Sequence, residues 1–204
     1  MLFRSTAHLG LLRCAKLQPG EIVFVNGGTG GVGSMVVQMA RTIGAEVVTT
    51  VGSPEKALLA RKAGARHVID YSKEDFAARV KEITKGKMCA VVYDGVGKAT
   101  FPGSLDCLRP RGMFVSYGSA SGPIEAFNIG ILSQKGSLFA TRPTLFGYAS
   151  TPAELAAMAR DLFRVVASGK VKISVNHKRP LAEAAAAHRA LEARQTTGST
   201  VLIP

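Results

Sequence analysis

Gly28, Gly30 and Gly33 stand in the spacing G-x-G-x-x-G within the run "NGGTGGVGS". The stretch before them, Glu21 to Asn26 (EIVFVN), is short, β-branched and apolar, as suits a strand buried on both faces. After them Val32, Met35, Val36, Met39, Ala40 and Ile43 recur at the spacing that lines one face of a helix. A strand, a glycine turn and a helix in that order make a seat for an anion, because the helix N-terminus holds unpaired N–H groups and about half a positive charge. On this reading Gly28 permits the tight turn, Gly30 lets a pyrophosphate reach the backbone, and Gly33 lets helix and sheet pack closely. The motif alone is weak; its place between a strand and an amphipathic helix makes it persuasive.

A dinucleotide site of this kind is often completed by an acid about twenty residues downstream, which bonds the ribose 2′-hydroxyl. Here the second strand, Ala45 to Val51, ends Thr49-Thr50-Val51-Gly52, and Glu46 sits near its start, too far away to serve. Gly52 and Ser53 follow instead, then Lys56 one turn into the next helix, with Tyr71 just past the third strand. With no carboxylate to repel it, a ribose 2′-phosphate is accepted, and Lys56 and Tyr71 can reach it. A charge-assisted bond of this type is worth about 1.5–3 kcal/mol, roughly ten- to a hundredfold in affinity. The expected cofactor is therefore NADPH in preference to NADH.

The elements that must position these residues alternate. Ser53 is a fitting N-cap with Pro54 at the first helical position, and Gly64 ends that helix. His67 to Asp70 reads as a strand, followed by Ser72, whose cap is answered by Asp75 three residues on. Cys89 to Tyr93, Arg111 to Tyr117 and Ser137 to Thr141 supply three further strands. Alternation from about residue 21 to 141 predicts a parallel sheet with helices on both faces. Beyond it Thr151-Pro152-Ala153-Glu154 opens a helix to about Ser168, Leu181 to Arg194 is an alanine-rich helix, and Ser199 to Ile203 a terminal strand. The last strand of the sheet, "SLFAT", lacks the charges that blunt an exposed edge, so a homodimer pairing through Ser137 to Thr141 is expected to cover it.

Composition sets the bounds. The chain of 204 residues is 47% apolar, enough for a real core, and has no unbroken apolar stretch of membrane-spanning length. Cys14, Cys89 and Cys107 are too dispersed for a disulfide framework or a zinc knuckle, and read as buried thiols in a reducing compartment. His8, His67, His177 and His188 show no ligand spacing, and no Tyr-x-x-x-Lys pair occurs. The net charge of +12 favours phosphate-bearing partners. RNA is not expected among them, because aromatics are 6%, tryptophan is absent, and the basic residues are spread over several helix faces. Thr6 to Ala15 carries Leu9, Leu11 and Leu12 at helical spacing and reads as a leading helix; Arg4, Arg13 and Lys16, with no acid before Glu21, also suit a transit peptide.

Longer stretches carry a resemblance. "LQPGEIVFVNGGTGGVGSMVVQMARTIGA", "KAGARHVIDYSKEDF", "VVYDGVGKATF", "ILSQKGSLFATRP" and "LEARQTTGSTVLIP" are similar to the NADPH-dependent quinone oxidoreductases, relatives of zeta-crystallin in the zinc-free branch of the medium-chain dehydrogenase/reductases. The resemblance implies a doubly wound parallel six-stranded Rossmann sheet over 21–142. It also implies a C-terminal α+β appendage over 143–204, returning toward a separate catalytic domain. It implies that Gly30, Gly31 and Val32 hold pyrophosphate, and that Gly52, Ser53, Lys56 and Tyr71 frame the 2′-phosphate. Tyr117, Gly118 and Ser119 would line the nicotinamide half, with Arg142 and Arg194 adding cationic contacts. In such enzymes hydride passes directly from nicotinamide to a quinone or enone acceptor, so neither a catalytic side chain nor a metal ligand is expected; zinc-bearing relatives place a cysteine near what is Phe3 here. Related members reduce an activated C=C in enoyl or haloacrylate substrates. Full-length members begin with the catalytic domain, and this chain starts where that domain ends. The expectation is a cytoplasmic protein that binds NADPH with poor turnover by itself, or a non-catalytic nucleotide-binding module.

Overall fold

In the computed structural model, residues 7, 15–193 and 195–204 are described. Six strands form one parallel sheet: β1 (Ile22–Asn26), β2 (Glu46–Val51), β3 (His67–Asp70), β4 (Cys89–Asp94), β5 (Leu108–Ser116) and β6 (Phe139–Thr141), in the order β3-β2-β1-β4-β5-β6. This is the doubly wound Rossmann order, with the chain reversing its direction of growth between β1 and β4. The connections are α1 (Gly31–Ile43), α2 (Pro54–Ala63), α3 (Phe76–Ile83), α4 (Phe101–Asp106) and α5 (Gly130–Gln134). After β6 come α6 (Leu145–Tyr148), α7 (Pro152–Ala167), β7 (Val175–Pro180), a 3₁₀ turn (Leu181–Glu183), α8 (Ala184–Glu192) and β8 (Ser199–Ile203). β7 and β8 pair in parallel as a separate two-stranded sheet, the C-terminal α+β appendage.

The period-two geometry of a strand sorts the apolar residues into two cores. Val23, Val25, Val47, Val91, Tyr93 and Val115 face one side and meet Met35, Val36, Met39 and Ala40 of α1, together with Leu162 of α7. Phe24, Val48, Ile69, Val92 and Phe114 face the other, against Val80 of α3 and Phe101 and Leu105 of α4. α1 ends as Gly44 enters the left-handed region at φ 94°, and α2 ends the same way at Gly64. Ser53 does cap α2, accepting the Lys56 amide at 3.3 Å with Pro54 in the first turn. The Thr151–Glu154 start of α7 is a complete capping box.

Three expectations are corrected. Ser72 does not cap α3; Asp75 does, its carboxylate accepting the Ala78 amide at 2.7 Å, while the Ser72 hydroxyl donates to Asp70 at 2.6 Å. The carboxylate at the end of β3 outcompetes the more distant helix for that hydroxyl, as Asx turns do. The helix expected over Leu181 to Arg194 begins as a 3₁₀ turn and becomes α-helical at Ala184. β5 begins at Leu108, earlier than expected, because Leu108 pairs with Cys89 across an irregularity in the β4–β5 ladder. Cys89 and Cys107 are buried free thiols, Cys89 pushed up to about 12 by burial and Cys107 raised likewise, so neither is a ready nucleophile. Of the leading helix only Ala7, which is buried, and Ala15 are described; Phe3, His8, Cys14 and Arg194 lie outside the described residues. Among the described residues no helix is long and apolar enough to cross a membrane.

Candidate functional site: the carboxyl edge of the sheet

Every described residue expected at the site follows the carboxyl end of a parallel strand. Gly28 to Gly33 follow β1, Gly52 to Lys56 follow β2, Tyr71 follows β3, Tyr117 to Ser119 follow β5, and Arg142 follows β6. In sheets of this kind the crevice at the point of strand reversal is the ligand-binding edge.

The glycines divide by physical need. The Gly27 carbonyl accepts from Gly30 at 3.2 Å, closing a turn with Gly28 and Thr29 at its centre; the left-handed residue is Gly27, at φ +77°, its amide donating to the Thr50 hydroxyl at 3.1 Å. Gly28 is buried in that turn, where a Cβ would lie 2.1 Å from Thr49 Oγ1, and that hydroxyl is itself committed to the Val25 carbonyl at 2.6 Å. A Cβ on Gly33 would sit 2.2 Å from the Gly27 carbonyl oxygen, so helix and turn touch there, as the spacing implied. Gly30 and Gly31 differ from both. They are exposed, neither has a positive φ, and an added Cβ would meet nothing closer than 3.6 Å at Gly30 and nothing within 4 Å at Gly31. The fold makes no demand for glycine at these two positions; a group approaching from outside would.

That group should be an anion. α1 has no side-chain cap and no acid in its first turn, so its leading N–H groups and the positive end of its dipole face the open space above Gly30 and Gly31. The side chain of Val32 is partly buried against the α1-side core, which leaves its backbone as the part turned to this open space.

At the end of β2 the geometry matches the expectation of no acid. Glu46 stands at the opposite end of that strand and is occupied by Arg66 at 3.1 Å and His67 at 3.0 Å. Tyr71 lies over Gly52, where a Cβ would come 2.4 Å from the phenol oxygen, so the two are brought together. Ser53 accepts the Lys56 amide, and its hydroxyl bonds the carboxylate of Glu55 in the first turn of α2, which is held below the usual carboxylate range by that bond. Asp70, at the end of β3, is held below the usual carboxylate range by the Ser72 hydroxyl and amide, with Lys73 3.6 Å away.

On the other half, the ring of Tyr117 covers Gly95, where a Cβ would meet the ring at 2.7 Å; burial, then the charge of Asp94, pushes its phenol up. Arg142 donates to the Gly118 carbonyl at 3.0 Å and to the Ser116 hydroxyl at 3.2 Å. Its guanidinium thus braces the loop after β5.

Between the halves lies a polar cluster that sequence reasoning missed. Asp94, fully buried, accepts five hydrogen bonds. Its Oδ1 takes the amides of Val96 at 2.8 Å and Gly97 at 2.9 Å. Its Oδ2 takes Asn26 Nδ2 at 3.2 Å and the hydroxyls of Thr100 at 2.7 Å and Ser104 at 2.6 Å. A buried carboxylate is tolerable only when its lone pairs are satisfied in this way. The available signal was polar residues (Asn26, Thr50, Asp94) at the ends of otherwise apolar strands. Among the described residues no group of three or more His, Cys, Asp or Glu side chains is gathered as a metal site requires.

Comparison with known proteins agrees with this architecture. The zinc-binding dehydrogenase family matches residues 31–164. The chain is 52% identical to a quinone oxidoreductase of Pseudomonas aeruginosa, over all of this chain and 63% of that protein. It is 47% identical to a 2-haloacrylate reductase of a Burkholderia species, over all of this chain and 62% of that protein. The crystal structure of Escherichia coli quinone oxidoreductase complexed with NADPH superimposes with a TM-score of 0.95 at 46% identity, over all of this chain and 63% of that one. This chain therefore spans less than two thirds of the length of these relatives, and by fold and family match it belongs to the zinc-binding dehydrogenase family.

Proposed function

We propose that this chain binds NADPH along the carboxyl edge of its sheet, as the nucleotide-binding part of an oxidoreductase that reduces a quinone or a related conjugated acceptor. The observation that carries the reading is the pair of exposed glycines, Gly30 and Gly31, that the fold does not require, set before an uncapped helix. NADPH, when bound, supplies the hydride. The amides of Gly31 and Val32 would then hold the pyrophosphate, while Gly30, its own amide spent on the Gly27 carbonyl, would leave room for the approach. Lys56 and Tyr71 would hold the 2′-phosphate, with the Ser53 hydroxyl exchanging its bond to Glu55 for one to the phosphate; no acid stands at the end of β2 itself. Tyr117, Gly118 and Ser119 would wall the nicotinamide, with Arg142 bracing that wall, and Arg194 would add a cation. No side chain needs to form a covalent bond; the protein's part is position and field.

Isothermal titration of the chain tests this. NADPH should bind at least about tenfold more tightly than NADH, and Lys56→Ala should cut NADPH affinity about ten- to a hundredfold while leaving NADH within about twofold. Equal affinities in the unaltered chain would refute the reading. The likeness to a 2-haloacrylate reductase supports an activated C=C as a second class of acceptor, and turnover with a quinone against a 2-haloacrylate separates the two.

Residues 143–204 we read as returning toward a catalytic domain, supported by exposed Phe146, Phe163, Leu181 and Leu191 on α6, α7, the 3₁₀ turn and α8. We further propose that β6 pairs with its counterpart in a second copy, since this sheet edge carries no charge and leaves Phe139 57% exposed. Sedimentation should give twice the 21.4 kDa chain mass, and Phe139→Lys should return it to one; an unchanged dimer in that variant would place the interface elsewhere. Two buried thiols suit the cytoplasm.

A further inference from the structure

We infer that Asp94 is a positioning residue which holds the phosphate loop after β1 and the nicotinamide-side loop after β5 in fixed relation, so that one dinucleotide can engage both. The inference rests on the nucleotide-binding reading above. It follows from where the five bonds of Asp94 lead. On one side Asn26, which donates to Asp94, accepts the Thr50 hydroxyl at 3.0 Å, and Thr50 accepts the Gly27 amide at 3.1 Å. Asn26 also donates to Ser104 at 2.8 Å, whose hydroxyl donates to Asp94. The carboxylate therefore fixes the Asn26 amide, and through it the turn residue that places Gly30 and Gly31.

On the other side Asp94 holds the amides of Val96 and Gly97, and the strip 95–98 is laced to the loop after β5. Ala120 donates to the Gly95 carbonyl at 3.2 Å, Ser121 to Val96 at 2.8 Å, and Lys98 to the Gly122 carbonyl at 3.1 Å. The fit is close: a Cβ on Gly97 would lie 2.5 Å from the Gly122 carbonyl oxygen, and one on Gly118 would lie 2.5 Å from that of Gly95. Five donors converge on two oxygens, which a carboxyl side chain accepts, whereas an amide in its place would turn an NH₂ group toward donors. None of the five partners of Asp94 belongs to the set Gly52, Ser53, Lys56 and Tyr71 proposed for the 2′-phosphate, so the two parts of the site should respond differently when it is altered.

The test is titration of the full chain with NADPH and with adenosine 2′-monophosphate, which carries the 2′-phosphate but no 5′-phosphate and no nicotinamide. Asp94→Asn should weaken NADPH at least about tenfold and leave adenosine 2′-monophosphate within about threefold. Thr50→Val keeps the carboxylate and cuts only the relay to Gly27; it should weaken NADPH by about threefold to tenfold, again sparing adenosine 2′-monophosphate. A merely structural residue would lose both ligands together, and that result, or the loss of neither, overturns the inference. If Asp94→Asn does not fold, Thr50→Val decides alone by the same two readings. If the unaltered chain binds neither ligand, the nucleotide reading itself fails, and the inference falls with it.

Discussion

Replacing Gly30 by alanine should leave the fold intact and nearly abolish NADPH binding. The backbone there, at φ −71° and ψ 172°, is open to any residue, and the new methyl would meet the Gly27 carbonyl oxygen at an ordinary 3.6 Å. Stability should even rise slightly, by about 0.4–1 kcal/mol, because the unfolded chain loses freedom. A phosphate, however, must bring its oxygens to about 2.9 Å from backbone nitrogens to bond them, and a methyl group in that approach forbids it. Loss of the two or so charge-assisted bonds this removes is worth about 3 kcal/mol or more, over a hundredfold in affinity. Thermal melting and titration read the two effects separately. Gly31→Ala, with nothing within 4 Å of its added carbon, is the companion variant and should behave alike. Undiminished NADPH affinity in both would move the cofactor away from this loop.

That separation of glycines by purpose was only half legible from the chain itself. The spacing of Gly28, Gly30 and Gly33 announced a turn, a ligand approach and a helix contact, but not which residue of the turn is left-handed. Positive φ belongs to Gly27, which the motif does not count, and Gly28 is glycine because Thr49 of the neighbouring strand occupies the space of its Cβ. Contacts between residues twenty apart leave no mark on local spacing. The same holds for the link from Asp94 to Asn26, which forms only once β1 and β4 are paired, although the other partners, at 96, 97, 100 and 104, lie close in sequence. By contrast β1, α1, β2 and α2 were readable almost to the residue, since buried strands and amphipathic helices write their periods directly. β7 (VNHKRP) has no apolar alternation, and α4 is six residues long with Pro102 and Gly103 inside it, so neither offered a pattern to find. The missing acid at the end of β2 was visible as an absence, and the structure adds the reason Glu46 cannot substitute: it is engaged at the far end of its strand.

Gly33→Ala should act in the opposite sense to Gly30→Ala, through the fold. Its Cβ would lie 2.2 Å from the Gly27 carbonyl oxygen, 3.0 Å from that carbonyl carbon and 3.2 Å from the Gly28 Cα, all backbone. No rotamer change can relieve a clash with main chain, so either α1 must withdraw from β1 or the turn must move. The first exposes part of the core around Val36 and Val37, and the second breaks the Gly27–Thr50 bond. Overpacking of this kind costs about 3 kcal/mol. In a chain of this size that corresponds to a fall in melting temperature of roughly 6–12 °C. Gly28→Ala should be the milder case, because its nearest obstacle is a side-chain hydroxyl, and Thr49→Ala in the same chain should recover part of the loss. For Gly33 no side-chain partner exists to be trimmed. Melting of Gly33→Ala within about 1 °C of the unaltered chain would mean that helix and turn do not touch as described, and the close seat that aims the α1 amides at the ligand would have to be redrawn.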